Sequence, residues 1–173
     1  MAKAGATSQA LKNKQKADAR QVVARNKKAR HEYFIDETYE AGLVLTGTEV
    51  KSLREGRASL TEAWVEIDRS GEAWLQNATI PVYVAGTWTN HAPTRKRKLL
   101  LHADEILRLG QRSREKGHTI VPLELYFIRG RAKVEIALAR GKQEWDKRET
   151  LRRQQDDREA RRAMSDFRKG RRE

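Results

Sequence analysis

Leu123-Glu124-Leu125-Tyr126-Phe127-Ile128-Arg129-Gly130-Arg131-Ala132-Lys133-Val134-Glu135-Ile136-Ala137-Leu138-Ala139 is the stretch on which the fold turns. Leu123, Leu125 and Phe127 alternate with Glu124, Tyr126 and Ile128. After Arg129-Gly130, the residues Ala132, Val134, Ile136 and Leu138 alternate with Lys133, Glu135, Ala137 and Ala139. A period of two belongs to strands, so two strands are expected. The second turns an aliphatic row inward and leaves Arg131, Lys133 and Glu135 outward.

Working outward from this pair, Tyr33 and Ile35 with their polar neighbours read as a strand, and Gly42-Leu43-Val44-Leu45 as a short second one. Thr46-Gly47-Thr48-Glu49 has the capping-box form, which predicts a short helix from about Glu49 to Glu55 with Gly56 as its stop. Val50 and Leu53 would face the core, Lys51 and Arg54 another face, and Ser52 the helix surface. Trp64–Ile67 and Ala73–Leu75 flank Asp68-Arg69-Ser70-Gly71 as a hairpin. Pro81 and the stretch 87–95 read as a long loop. Leu99-Leu100-Leu101 leads into a helix with Asp104 and Glu105 in its first turn, the favourable sign for the helix dipole, and Gly117 at its end. About six short strands and two helices favour a mainly β fold with flanking helices, a small barrel rather than a sandwich, because closure removes exposed edges.

Charge divides the chain differently. Of 37 Lys and Arg against 24 Asp and Glu, net +13, residues 1–31 carry nine cations and one anion, residues 32–139 fifteen of each, and residues 140–173 thirteen cations and eight anions. A neutral body between two basic ends suits a polyanionic partner, since each neutralised phosphate releases counterions. Residues 1–25 are poor in large apolar side chains and read as a flexible basic arm. Beyond Gly141 the alternation stops. Glu144/Arg148, Glu149/Arg153 and Asp157/Arg161 stand four apart with the acid first, which supports a helix that has almost no apolar face of its own. This tail is expected to be disordered when free and helical inside a partner. Arg95-Lys96-Arg97-Lys98, beside two other basic segments, is expected to meet phosphate.

Other classes are disfavoured. There is no cysteine for a disulfide, thiolate site or nucleophile. His31, His91, His102 and His118 lack metal-ligand spacing. No apolar run approaches the roughly 20 residues of a membrane span, and the basic N-terminus lacks the apolar region of a secretory signal. A cytoplasmic protein is expected. No P-loop or nucleophile elbow occurs, and the carboxylate pairs Asp156-Asp157 and Asp104-Glu105 read as helix surface. No catalytic residue, cofactor or metal is expected.

Specific words remain. Asn26-Lys27-Lys28-Ala29-Arg30-His31-Glu32-Tyr33 precedes Glu40-Ala41-Gly42-Leu43 and Leu45-Thr46-Gly47-Thr48-Glu49-Val50-Lys51-Ser52-Leu53-Arg54. Arg97-Lys98-Leu99-Leu100-Leu101, Leu125-Tyr126-Phe127, Gly141-Lys142 and Asp146-Lys147-Arg148 follow. In this order and spacing, over roughly residues 26–173, they resemble the SmpB family (small protein B, SsrA-binding protein).

The resemblance implies an oligonucleotide-binding-type (OB-like) barrel over 26–141, between the arm 1–25 and a basic tail 142–173. It implies an RNA-binding adaptor of trans-translation, not an enzyme. Such an adaptor binds the tRNA-like domain of tmRNA (SsrA RNA) and enters stalled ribosomes, where its tail lies in the decoding centre and empty mRNA channel. The implied tmRNA contacts are Asn26, Arg30, His31, Glu40, Lys51, Leu100, His102 and Lys133. The implied decoding-centre and tail residues are Gly141, Lys142, Trp145, Asp146, Lys147, Arg148 and Met164, with Trp145 as a stacking ring for a 16S rRNA base. Ala163 stands where the family often has Ile. The implied partners are tmRNA and the small ribosomal subunit, with alanyl-tRNA synthetase and EF-Tu reached through tmRNA; no membrane is involved and a monomer is expected. The alternatives are a structural ribosomal protein and a structure-specific RNA-processing enzyme, and the latter would need a carboxylate cluster that the body does not display.

Overall fold

The computed structural model of the chain describes residues 19–86 and 88–170. Within these residues seven antiparallel strands form one sheet: β1 (Gln21–Arg25), β2 (Tyr33–Leu43), β3 (Trp64–Ile67), β4 (Ala73–Gln76), β5 (Arg97–Leu100), β6 (His118–Ile128) and β7 (Arg131–Gly141). Their order is β1-β6-β7-β2-β5-β4-β3. Among the described residues four helices flank it: α1 (Lys27–Glu32), α2 (Gly47–Arg54), α3 (Ala103–Arg112) and α4 (Glu144–Gly170). The sheet curls until β3 packs against β6, the partly open form of an OB-like barrel. None of the described helices is long and apolar enough to cross a membrane.

The central hairpin is longer than its alternation alone predicts, 11 residues on each side. Ile128 pairs with Arg131 across a two-residue turn in which Arg129 has φ 50° and Gly130 φ 74°. Positive φ at both positions is the twist-matched hairpin turn, and glycine adopts it without steric cost. Gly130→Ala is therefore expected to lower stability by about 1 kcal/mol, measured as the midpoint shift in urea. An unchanged midpoint would mean that the turn relaxes freely.

Two cores share this hairpin. Val134, Ile136 and Leu138 of β7 and Ile120, Leu125 and Phe127 of β6 join Leu53, Leu60, Leu75, Ile80 and Leu99 inside the curled sheet. Val121 and Leu123 with Ala137 and Ala139 form a smaller cluster on the other face, under Ala29 of α1, Tyr33 and Ile35. Register shifts lie between Ile35 and Glu37 on β2 and between Pro122 and Glu124 on β6. Each bulge exchanges the faces of its strand. Tyr33 and Ile35 therefore pack under α1 whereas Tyr39, Ala41 and Leu43 point into the main core.

Several expectations are corrected. Residues 33–45 hold one long strand, not two, and α3 ends at Arg112, five residues before Gly117, because Ser113 caps it and a turn follows. The arm read as flexible contributes β1: Gln21–Arg25 pairs with β6, Ala24 is buried, and Arg20 and Arg25 both reach Glu124 at 2.6 Å. One buried residue and a register shift leave an edge strand almost no period to read. Residues 1–18 of the expected arm lie outside the described residues. On α2, the capping box forms as predicted, Thr46 N donating to Glu49 Oε2 at 2.8 Å, and Leu53 and Val50 meet the core. Ser52 is buried instead of exposed, its hydroxyl donating to Pro81 O at 2.6 Å.

Candidate RNA interface

The outward face of the sheet is built by register. Val22 of β1 lies opposite Tyr126 of β6, Tyr126 opposite Lys133 of β7, Lys133 opposite Gly42 of β2, and Gly42 opposite Leu100 of β5. One lateral row thus crosses five strands. Leu100 is 56% exposed, and a side chain at position 42 would begin 3.3 Å from its Cβ. Glycine there keeps the middle of the row low and open to an approaching backbone.

Glu40, two residues before Gly42 on the same face, is oriented from two sides. Lys133 donates to its Oε1, and the Tyr126 hydroxyl donates to its Oε2 at 2.5 Å. The bond from Lys133, then that from Tyr126, holds the Glu40 carboxyl below the usual carboxylate range against the opposing effect of burial. Burial first, and then the bond to Glu40, push the Tyr126 phenol up, so it remains a donor. The Arg20 guanidinium lies 3.6 Å from the centre of the Tyr126 ring. An ionised carboxylate accepts from hydroxyls and amino groups, and the flanking cations suit phosphate. This is the donor and acceptor mixture that an RNA surface requires.

A second group forms where α1 meets the root of α4. Lys142 N donates to Glu32 O at 2.8 Å, and its ammonium to Arg30 O at 3.3 Å and Thr150 Oγ1 at 3.4 Å. The same ammonium lies 5.1 Å from the Phe34 ring centre. Arg30 and Gly141 are exposed and His31 is half-buried. Asp146, in the first turn of α4, accepts from Gln143 N at 3.3 Å; Asp146 and Lys147 are half-buried and Arg148 is exposed. Met164 is 72% exposed. The i,i+4 pair Glu149–Arg153 closes at 2.5 Å. The side chain of Trp145 lies outside the described residues.

The expected tmRNA residues therefore separate. Glu40, Leu100 and Lys133 come together on the sheet face, and exposed His102, two residues past Leu100, begins α3 with its N–H on Glu105 Oε2 at 3.0 Å. Arg30 and His31 belong to the α1 group. Lys51 stands apart on α2, its ammonium 5.5 Å from the Tyr83 ring centre. Asn26 is only 3% exposed, and its amide is used within the fold: Oδ1 accepts from Ala29 N at 3.0 Å, and Nδ2 donates to Leu60 O at 2.9 Å and Pro122 O at 3.1 Å. In the free chain it is a positioning residue that fixes α1.

The cationic run is also corrected. Arg97 is fully buried and donates to Glu49 Oε1 at 2.8 Å, Ala78 O at 2.6 Å and Pro93 O at 2.8 Å. Arg95 grips the same carboxylate through Nε at 2.8 Å and Nη2 at 2.5 Å. Lys98 pairs with Glu72, and Lys96 lies 4.7 Å from the Trp74 ring centre. Half of the run is internal architecture. Its signal in the sequence was position: Arg97 is in phase with Leu99, the inward residue of β5. Tyr126, quoted in a family word but not expected at the site, is legible in the same way, as an outward residue in phase with Glu124.

Comparison with known proteins decides the family. The family model described as SmpB protein matches residues 23–166. The chain belongs to the SmpB family. It is 68% identical over 142 residues to the SsrA-binding protein of Bifidobacterium adolescentis, covering 82% of this chain and 89% of that one. It is 67% identical over 152 residues to the SsrA-binding protein of Streptomyces avermitilis, covering 88% and 85%. A solved chain from a structure described as "tmRNA-SmpB: a journey to the center of the bacterial ribosome" is 48% identical, with a TM-score of 0.61, covering 75% of this chain and 94% of that one. For this SmpB family member, the matched span takes in the sheet-face row from Tyr126 to Leu100, the α1 group and most of α4.

Proposed function

We propose that this chain is the RNA-binding adaptor of trans-translation in the cytoplasm: it binds the tRNA-like domain of tmRNA, brings it to stalled ribosomes and acts by binding alone, without catalysis. The observation that carries this reading is the match of 82–88% of the chain to SsrA-binding proteins at 67–68% identity. In this reading the sheet face holds the RNA. Lys133 meets phosphate, Leu100 and the open backbone at Gly42 meet a ribose or base face, and Glu40 accepts from a 2′-hydroxyl or base amino group. Arg30 and His31 extend the contact along α1, and Lys51 and His102 add contacts at its margins.

The tail works separately. Lys142 fastens the root of α4 to α1, so RNA bound on α1 also positions the tail. Trp145, Asp146, Lys147 and Arg148 then fall in the decoding centre against 16S rRNA, and Met164 further along the mRNA channel. Alanyl-tRNA synthetase and EF-Tu act on the tmRNA, not on this chain, and the chain works as a monomer.

Lys133 gives a test. Its ammonium is already paired with Glu40, so its gain on meeting phosphate is partial. Lys133→Ala is expected to weaken tmRNA binding and to reduce the log–log salt slope by less than about 1, measured by filter binding across a salt series. Unchanged affinity would remove the sheet face from the interface. Reconstituted translation of a message without a stop codon tests the adaptor role as a whole. Tagging of the nascent chain should require this protein, and tagging in its absence would contradict the proposal.

A further inference from the structure

Between Ile80 and β5 the chain exposes side chains that a soluble surface ordinarily covers: Val82 is 46% exposed, Val84 77% and Trp88 93%. The loop that carries them is firmly tied. Asn90 Oδ1 accepts from Tyr83 N at 3.0 Å, while Nδ2 donates to Tyr83 O at 2.9 Å and Gly86 O at 2.8 Å. Gly86 N donates to Tyr83 O at 2.8 Å. A Cβ at Gly86 would come within 2.7 Å of that Asn90 amide, whose atoms are already bonded. Below this knot, His91 bridges Thr48 Oγ1 at 3.0 Å and Ile80 O at 2.9 Å. Tyr83, Gly86 and Asn90 are therefore fixed on either side of Trp88, which presents an indole to solvent. Preformed exposed aromatics mark binding surfaces, because ordering costs are met before the partner arrives.

The surroundings specify the partner. No Asp or Glu occurs from residue 73 to residue 103. At the loop's root, exposed Lys51 holds its ammonium over the Tyr83 ring. A flat aromatic face in a segment without acidic residues, whose root carries an ammonium over Tyr83, fits an unpaired nucleobase with its phosphate. We infer that Trp88 is a stacking platform for an unpaired RNA base, a contact separate from the sheet-face row. The inference rests on the proposed adaptor function and adds a residue to it. The base belongs either to tmRNA or to ribosomal RNA.

Full-length chain with p-benzoylphenylalanine in place of Trp88 would be photolysed with tmRNA alone, and with tmRNA on stalled ribosomes, and the adducts mapped by primer extension. Trp88→Ala and Trp88→Tyr would be assayed beside it for tmRNA affinity and for tagging. A crosslink to an unpaired tmRNA nucleotide, or to an rRNA nucleotide only on ribosomes, is expected. In the same arm Trp88→Ala should lose about 5- to 150-fold, the range of one base stack, and Trp88→Tyr should recover most of it. Trp88 contacts solvent almost entirely, so thermal unfolding of both variants should match the wild type. Crosslinks to protein only, or wild-type behaviour of Trp88→Ala in both arms, would overturn the inference. Failure of the unmodified chain itself to bind tmRNA would instead overturn the adaptor reading.

Discussion

A chain ending at Gln143 should bind tmRNA with affinity reduced by less than about tenfold, or 1.4 kcal/mol, and should tag no stalled nascent chain. The removed residues 144–173 include eleven cations and eight anions, so truncation weakens long-range attraction only modestly. Residues 151–165 are exposed throughout, so little packing is lost. Lys142, which fastens the root of the helix to Arg30 and Glu32, is retained. Binding measured by gel shift and tagging measured in reconstituted translation separate the two roles. Tagging at the normal rate by the short chain would remove the tail from the mechanism. Loss of tmRNA binding would place the tail in the primary interface.

Glu49→Gln should be the most destabilising single change outside the apolar core, by about 3–5 kcal/mol. The Glu49 side chain has no exposed surface and is shared by Arg95, Arg97 and the Thr46 backbone. The amide would leave the fully buried Arg97 without its counter-charge. Glu49→Gln combined with Arg97→Met should regain part of the loss, since an apolar replacement removes the stranded ion. Burial alone would raise the Glu49 carboxyl, but the Arg95 hydrogen bonds, the Thr46 N–H and the Arg97 charge outweigh it and hold it at about 2, against 4.5 ordinarily. A carboxyl lowered in the folded state contributes stability that is fully present above its unfolded value. That contribution is lost as pH falls from about 4.5 toward 2. Urea unfolding over this range should show a steeper decline in the wild type than in Glu49→Gln, in which the lowered Asp36, Glu40 and Asp68 carboxyls still contribute. Equal acid dependence in both would exclude Glu49 as its source. The same carboxylate ties α2 to the segment leading from the Trp88 loop into β5, so this network also holds that loop's root.

Much of this was legible in the sequence, for physical reasons that can be named. The β6–β7 hairpin alternates on both sides of its Arg-Gly turn, so period and turn chemistry agree there, whereas the bulge after Pro122 puts Leu123 on the opposite face from Leu125 and Phe127. The α2 capping box needs only local residues and formed as read. Strand β1 was not legible, because an edge strand with one buried side chain carries almost no period. The single long β2 was read as two because the bulge at Asp36 reverses its faces mid-strand. Arg95–Lys98 misled because charge was read without phase: in a strand, alternate cations face opposite ways, and Arg97 faces the core. At the site, Lys133 and Leu100 were named separately, but only sheet order makes them neighbours of Gly42. Asn26 was named as a tmRNA contact, and its hydrogen bonds within the fold depend on Leu60 and Pro122, both distant in sequence.

Sequencing the RNA that co-purifies with the full-length chain from growing cells tests the central claim most directly. The adaptor account predicts one dominant RNA whose paired ends fold into a tRNA-like domain, with ribosomal RNA well below equimolar amounts. Ribosomal RNA at equimolar amounts, or a mixed population of structured RNAs without that species, would contradict it.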